Sequence, residues 1–397
     1  MLDMRRFRVL DLTGVAGQMA GKILADLGLE VIKVEPPGGD PVRSLPPFRN
    51  HAPEPDTSLA FLYLNSNKKS ITLNLEETHG RELLKTLARR ADVLLESFPP
   101  GRMAQWGLGY DELSRQNPGL VMTSVTGFGK SGPRAAYQSP DLVALAMGGL
   151  LNVFGDAARP PCKPPETQAY YMASSYAALG SLFALYRRQR SGIGQQIDVS
   201  IQETLAVADQ IVSSFANEKL LLKRDGAQHK QVSPANVFPC RDGWVYLFVS
   251  ASGGHWKEFL SLWTGHPAKF DAPEWEAPGY RRVNNAAIND GVKEFTLRYG
   301  RDELVYLMQA HGLPCLPVNS PQEFLSDAHT QARGFVQSVS HSRWGSYQQT
   351  GTPFIADGER TPIRPAPDAG QNNEEIYGEL LGMKAEEMKQ LRAAGVI

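Results

Sequence analysis

The sequence predicts an α/β protein with an open, mostly parallel sheet, followed by a smaller α+β region. Apolar runs of strand length alternate with helical patterns through about residue 130. Beyond about residue 225 the texture changes to hairpin-like strands and short helices. The 397 residues also suffice for two or three domains, at roughly 100–200 residues per domain.

The opening stretch RFRVLDLTGVAGQMAGKILADLGLEVIKVEPPGGD reads as strand, glycine turn, helix, strand and loop. Val9, Leu10 and Leu12 form the apolar run of a buried parallel strand. Met19, Ile23, Leu24 and Leu27 follow at helical spacing, Gly28 marks the helix end, and Val31 to Val34 is the second strand. Together they make a βαβ unit. KSITLNL, DVLLESF and LVMTSVTGFG continue as strands, with THGRELLKTLARRA and YDELSRQN as helices. From Asp141 to Arg190 the pattern turns helical, and SSYAALGSLFALYRRQR carries small and apolar residues on most faces, as a helix packed on several sides would. A turn, SGIGQ, leads to the strand QQIDVSI. NVFPCRDGWVYLFVS reads as a hairpin turning at Asp242-Gly243. The helical segments KEFLSLW, GVKEFTLRYG and DELVYLMQAHG come next, and a Pro-rich stretch precedes the terminal helices EEIYGELLG and AEEMKQLRAAG.

Composition narrows the function. Lys and Arg number 41 against 42 Asp and Glu, a net charge of −1, which argues against nucleic-acid or anionic-membrane binding. An anionic ligand must then be held by a local cluster of cations. Cys162, Cys240 and Cys315 are widely spaced, without C-x-x-C pairs or metal-ligand spacing, and read as buried thiols in a reducing cytosol. No metal site is expected. The N-terminus has no apolar signal-peptide core, and no stretch approaches 18 apolar residues, so the expected location is the cytoplasm.

Several segments are candidates for chemistry. Gly14, Gly17 and Gly21, with Glu35 closing the second strand, invite a dinucleotide reading, yet their G-x-x-G-x-x-x-G spacing departs from G-x-G-x-x-G and equally fits a tight turn. Lys68 and Lys69, flanked by Asn65 and Asn67, have the donors a diphosphate needs, and equally fit a solvated basic loop. Arg43, Arg102 and Lys130 are further loop cations. The GFGKSGP loop and the Gly253-Gly254 pair could bring backbone amides to a ligand or serve as an oxyanion site; both also read as ordinary turns. Trp106, Tyr137, Phe154, Tyr170 and Tyr171 are candidates for an aromatic wall or for core packing. His255 and His311 are isolated and read as structural.

Taken in order, VLDLTGVAG…LADLGLEVIKVEPPGGDPVR, LNSNKKSITLNL, ADVLLESFPPGRMAQWGLGYDEL, NPGLVMTSVTGFGKSGP, ALYRRQRSGIGQQIDVSIQET, FPCRDGWV, HGLPCLPVNSPQEFLSDAHTQARGF and RPAPDAGQNNEEI resemble the family III CoA-transferases nearly end to end. The resemblance implies a Rossmann-like large CoA-binding domain over 1–200, a linker over 201–227, a small α+β domain over 228–330 and a segment, 331–397, returning to the large domain. It further implies an interlocked dimer. CoA or an acyl-CoA enters as substrate rather than as a permanently bound cofactor, lined by Val15, Ala16, Lys68, Lys69, Phe98, Arg102, Gly253 and Gly254. In the family an Asp carboxylate attacks the thioester, giving a mixed anhydride and then an enzyme-CoA thioester.

Against that pattern, Tyr170 stands where the family has its catalytic Asp. Glu166 and Asp141 are the nearby carboxylates, Asp141 fitting either a substrate contact or the N-cap of the helix LVALAMGG. Pro140 stands where a racemase branch has His, Ser97 where Asn is usual, and Gln105 where a basic residue is common. Three readings follow. The first is the Asp-lacking subunit of a heteromer, similar to those that activate benzylsuccinate with succinyl-CoA, whose homologous partner carries the Asp. The second is a homodimeric CoA-ester enzyme of altered chemistry: an isomerase, a lyase or a Glu166-based transferase. The third is a non-catalytic CoA-ester-binding protein.

Overall fold

A computed structural model describes residues 4–51, 56–208, 211–229, 231–250, 254–343 and 345–397. The chain forms two compact units, one of residues 1–151, 163–221 and 331–397, the other of residues 152–162 and 222–330. In the larger unit β1 (Arg8–Leu12), β2 (Glu30–Glu35), β3 (Lys69–Thr72), β4 (Val93–Glu96), β5 (Val121–Thr126) and β6 (Gln196–Ser200) make a parallel sheet in the order β3-β2-β1-β4-β5-β6. Its helices include α1 (Gln18–Asp26), α2 (Leu59–Leu64), α3 (Thr78–Ala88), α4 (Arg102–Gln105), α5 (Tyr110–Gln116), α6 (Asp141–Met147), α7 (Gln168–Ser191), α8 (Ile201–Ala208), α9 (Ile211–Glu218) and a C-terminal helix, Ala385–Ala393.

Side chains alternate across each strand, so the apolar runs feed two cores. Val9, Val31, Leu95 and Val121 pack with α1 and with the alanines of α7, Ala169, Ala173, Ala177 and Ala178. Leu10, Ile32, Leu94 and Met122 pack with Leu84 and Leu87 of α3, Leu113 of α5 and Tyr377 of the C-terminal segment. That segment also closes the free edge of β3: Asn373 bonds both Thr72 N–H and the Thr72 hydroxyl, and the Tyr377 hydroxyl donates to the Thr72 carbonyl.

One polar feature runs through this apolar frame. Gln18, Lys22 and Asp26, spaced one turn apart on α1, are buried rather than solvated. Lys22 pairs with Asp26 at 2.7 Å, and Asp26 accepts from Asn67. Asp11 and Lys68, both wholly buried, pair at 2.7 Å. Lys33 pairs with Asp40 at 2.8 Å and donates to the Thr13 carbonyl. Burial raises the Asp11 carboxyl, but the charges of Lys68 and Lys33 outweigh it and hold the group below its ordinary value. Gly21 is explained here: a Cβ on it would lie 2.2 Å from Asp11 Oδ2.

In the smaller unit β7 (Ala235–Cys240), β8 (Gly243–Phe248) and β9 (Cys315–Pro317) form an antiparallel sheet. Cys240 faces Gly243, so the hairpin turns at Arg241-Asp242, one residue before the expected place. Asp242 Oδ1 accepts from Arg301 N–H, which fixes the aspartate inside the turn. The core is aromatic: Trp256, Phe259, Trp263, Phe270, Trp275 and Phe295. Cys240 and Cys315 are buried thiols as expected, whereas Cys162, in the connection before α7, is exposed.

Asp11→Asn leaves two buried ammonium groups without their shared carboxylate and should lower unfolding stability by roughly 3–5 kcal/mol in urea titration. The Asp11 contribution is present above its ordinary pKa of 3.8 and disappears as pH falls through the lowered folded value. The stability gap between parent and variant should therefore close in acid. Gly21→Ala should cost about 1–3 kcal/mol by overpacking against the same carboxylate.

Candidate active site

The order in which strands are added reverses between β1 and β4, and open α/β sheets bind ligands beyond the C-terminal ends of the strands at such a switch point. A cavity of about 360 Å³ lies there, walled by the turn after β1 (Thr13, Gly14), the loop after β2 (Pro36, Pro41) and the rib after β4 (Ser97, Phe98). Gly14 N–H donates to the Ser97 hydroxyl at 2.8 Å, tying the turn to the rib. Phe98 meets Trp106 edge-on, ring centroids 5.1 Å apart, and the Arg102 guanidinium lies 5.4 Å from the Trp106 ring centre. Among the described residues no Lys or Arg lines the cavity itself, whereas three carboxylates, Glu35, Asp40 and Glu76, do, beside Leu12, Val34, Leu73, Leu75 and Phe98.

Val15 packs against the Val42, Phe61, Leu62 and Ala366 cluster, Ala16 lines a smaller cavity nearby, and Phe98 and Arg102 reach the crevice or the Trp106 ring in its wall. Lys68 and Lys69 do not, which corrects the expected diphosphate clamp. Lys68 donates to Asp11, the Gln18 carbonyl and Asn65, which uses all three of its hydrogens beneath α1. Burial pulls its ammonium down to about 8 even against the Asp11 charge. Lys69 begins β3 at the opposite end of the sheet and is paired with Glu30 and Glu375. It lines a cavity of about 750 Å³ at the strands' N-terminal ends, which is the wrong end for a ligand at the switch point. Glu35 is also unavailable to a ribose, because Arg43 takes both its oxygens at 2.7 Å. Gly17 is a packing glycine, whose Cβ would lie 2.7 Å from Thr13 Cγ2. Gly254 precedes α10 (His255–Leu262) with φ of +78°; Gly253 lies outside the described residues.

At the position where the family resemblance expects the nucleophile, α7 carries Tyr170 as its third residue. Its hydroxyl donates to the Ser139 carbonyl at 3.3 Å. Burial, then the neighbouring Asp141 charge, pushes the phenol above its ordinary pKa. Asp141 does not cap its own helix α6. Its Oδ1 instead accepts from Ala169 N–H and Tyr170 N–H, so it caps the N-terminus of α7, 28 residues away. Burial raises its carboxyl despite those bonds. Glu166 is exposed, in left-handed backbone at φ of +58° before α7.

Glu96 was not singled out by its sequence context, which shows only the last residue of an apolar strand. It is 3% exposed and accepts from Phe98 N–H at 2.8 Å, holding the rib that walls the crevice. Lys130 Nζ stands 4.0 Å away. Burial raises the Glu96 carboxyl more than its hydrogen bonds and Lys130 lower it. Among the described residues no His, Cys, Asp and Glu group could hold a metal ion, and no helix is long and apolar enough to cross a membrane.

The parallel sheet with a crevice at its switch point, walled by a glycine turn and an aromatic rib, defines a Rossmann-like enzyme for a nucleotide-bearing substrate. Comparison with known proteins narrows the class. The model for CoA-transferase family III matches residues 4–373. The Succinyl-CoA--D-citramalate CoA-transferase of Chloroflexus aurantiacus is 35% identical over 394 residues, covering 98% of this chain and 97% of the relative. The Succinyl-CoA:(R)-benzylsuccinate CoA-transferase subunit BbsE of Thauera aromatica is 33% identical, covering 100% and 98%. A crystal structure of a CAIB/BAIF family protein from Brucella suis superposes with a TM-score of 0.84 at 29% identity, covering 95% and 99%. The chain belongs to CoA-transferase family III, enzymes that move coenzyme A from an acyl thioester to another acid.

Glu96→Gln keeps the bond to Phe98 N–H without a buried charge. A carboxyl with a raised folded pKa favours the folded state most at low pH, and that contribution fades as pH climbs through the raised value. The variant's melting temperature should therefore match the parent near about pH 4 and equal or exceed it near about pH 8. A variant markedly less stable than the parent at both values would overturn this account of Glu96.

Proposed function

We propose that this chain is the nucleophile-lacking subunit of a two-chain CoA-transferase, binding an acyl-CoA such as succinyl-CoA while a homologous chain supplies the carboxylate. The observation that carries the reading is Tyr170 at the third position of α7. In the family's reaction a carboxylate oxygen attacks the thioester carbon, the C–S bond breaks, and CoA leaves as a thiolate. The thiolate then attacks the carboxylate's own carbon in the anhydride, releasing the donor acid and leaving an enzyme-CoA thioester. The acceptor acid repeats the two steps in reverse, with no net proton transfer. A phenol has no carbonyl carbon to receive the sulfur, so Tyr170 cannot hold CoA in the second step.

The outer face of α7 supports a second chain. Tyr176, Leu179, Phe183 and Tyr186 recur at helical spacing and are 38%, 44%, 64% and 57% exposed. Val207 of α8 and Val212 and Phe215 of α9 add exposed apolar surface in the same unit. Sets of this kind mark protein interfaces, and a homologous chain would bring a matching helix. One relative described above is itself named as a subunit. The catalytic roles of Glu166 and Asp141 take second place in this reading: Asp141 is engaged by the α7 backbone, and Glu166 is solvated.

The lone chain should bind CoA esters and show no transfer from succinyl-CoA to benzylsuccinate or malate by product chromatography, gaining turnover when mixed with a homologous chain that retains the Asp. Turnover by the lone chain that disappears in Glu166→Gln would replace this reading with a homomeric Glu166-based transferase.

A further inference from the structure

Across the Ser97–Pro99 rib from the crevice lies a second cavity of about 150 Å³, walled by Ala16, Phe98, Thr126, Gly127, Tyr137 and Ser139 among others. The Thr126 and Ser139 hydroxyls are closed off from solvent and have no hydrogen-bond partner among the described residues. Thr126 is 6% exposed as the last residue of β5. Glycine at 127 brings the two together, since a Cβ there would lie 2.3 Å from Ser139 Cβ. Buried hydroxyls ordinarily have partners, so two unpaired ones on one small cavity need an explanation. Each turns about one torsion, χ1, to meet an oxygen placed beside it.

Two further observations indicate what enters. Ser139 also accepts the Tyr170 hydroxyl through its carbonyl, so the cavity adjoins the position of the family nucleophile, where a thioester carbon must lie. The wall holds no charged side chain among the described residues, only hydroxyls, Gln138 and apolar groups. About 150 Å³ equals roughly five water volumes, room for an acyl group of a few carbons with an oxygen at its far end.

We propose that this cavity is the acyl subsite and that Thr126 and Ser139 are its specificity residues, selecting short acyl groups that carry a carboxylate or hydroxyl oxygen beyond the thioester. The assignment rests on the reading of the crevice as the CoA site. Calorimetry of the full chain with CoA, succinyl-CoA and butyryl-CoA tests it, since the two esters have equal carbon counts and differ in the terminal carboxylate. The chain should bind succinyl-CoA about tenfold more tightly than butyryl-CoA, roughly the worth of one or two hydrogen bonds. Thr126→Val, which keeps the side-chain shape, and Ser139→Ala should each cut that preference by about five-fold or more while leaving the affinity for CoA within about two-fold. Thr126→Ser, which keeps the hydroxyl, should restore it. Unaltered preference in both variants with CoA affinity retained overturns the subsite alone, as does a parent chain that favours butyryl-CoA. Failure of the unsubstituted chain to bind CoA overturns the crevice reading and this assignment together.

Discussion

The larger unit depends on the buried ion pair between Asp11 and Lys68. Two charges without water are stable only when geometry is close and the remaining hydrogens are engaged. Here the Asp11 oxygens take Lys68 and the Thr13 hydroxyl and N–H, while Lys68 adds the Gln18 carbonyl and Asn65. The pair thus joins the end of β1, the first turn of α1 and the loop before β3. Lys33 extends it to Asp40 and the Thr13 carbonyl, and Glu35 with Arg43 carries it to the Pro367 carbonyl of the C-terminal segment. The turn that walls the crevice is therefore held from beneath by charge, and the C-terminal segment is fastened to the same network.

That dependence explains what could be read from sequence and what could not. The parallel sheet was legible because buried strands announce themselves locally, as in the apolar VLDL and VLLE runs. The lysines were not: the residue that neutralises Lys68 lies 57 positions upstream, and local composition cannot separate a buried cation from a solvated one. The α1 stripe of Gln18, Lys22 and Asp26 misleads for the same reason, since polar residues at helical spacing ordinarily face water. Asp141 shows the converse, being a capping residue by chemistry whose helix lies 28 residues on. For α7, small and apolar residues on most faces predicted packing on several sides. Within this chain its alanine face meets the sheet while Phe183 and Tyr186 remain exposed.

The rib after β4 gives the site its two compartments. Glu96 anchors Phe98 N–H from below and Ser97 anchors Gly14 N–H from the side. The larger cavity on one side and the hydroxyl-lined cavity on the other then share Ser97, Phe98 and Pro99 as a common wall. A ligand bound at both ends must cross that wall, where Gly14 of the turn after β1 meets Ser97. Coenzyme A has that form, an aromatic nucleotide joined by a flexible arm to a small acyl thioester.

Charge carries the two-chain reading a step further. CoA brings several phosphate charges to a chain whose net charge is −1 and whose crevice wall has no cation among the described residues. The lysines nearest in sequence are spent on Asp11, Glu30 and Glu375. Arg102, exposed beside Trp106, is one cation near the rim, and one guanidinium is a weak counterweight in water. Tyr170 stands at the third position of α7, where the resemblance expects the carboxylate. In the proposed two-chain reading, the second chain would bring both the carboxylate and further cations, and the exposed apolar stripe of α7 is the face offered to it.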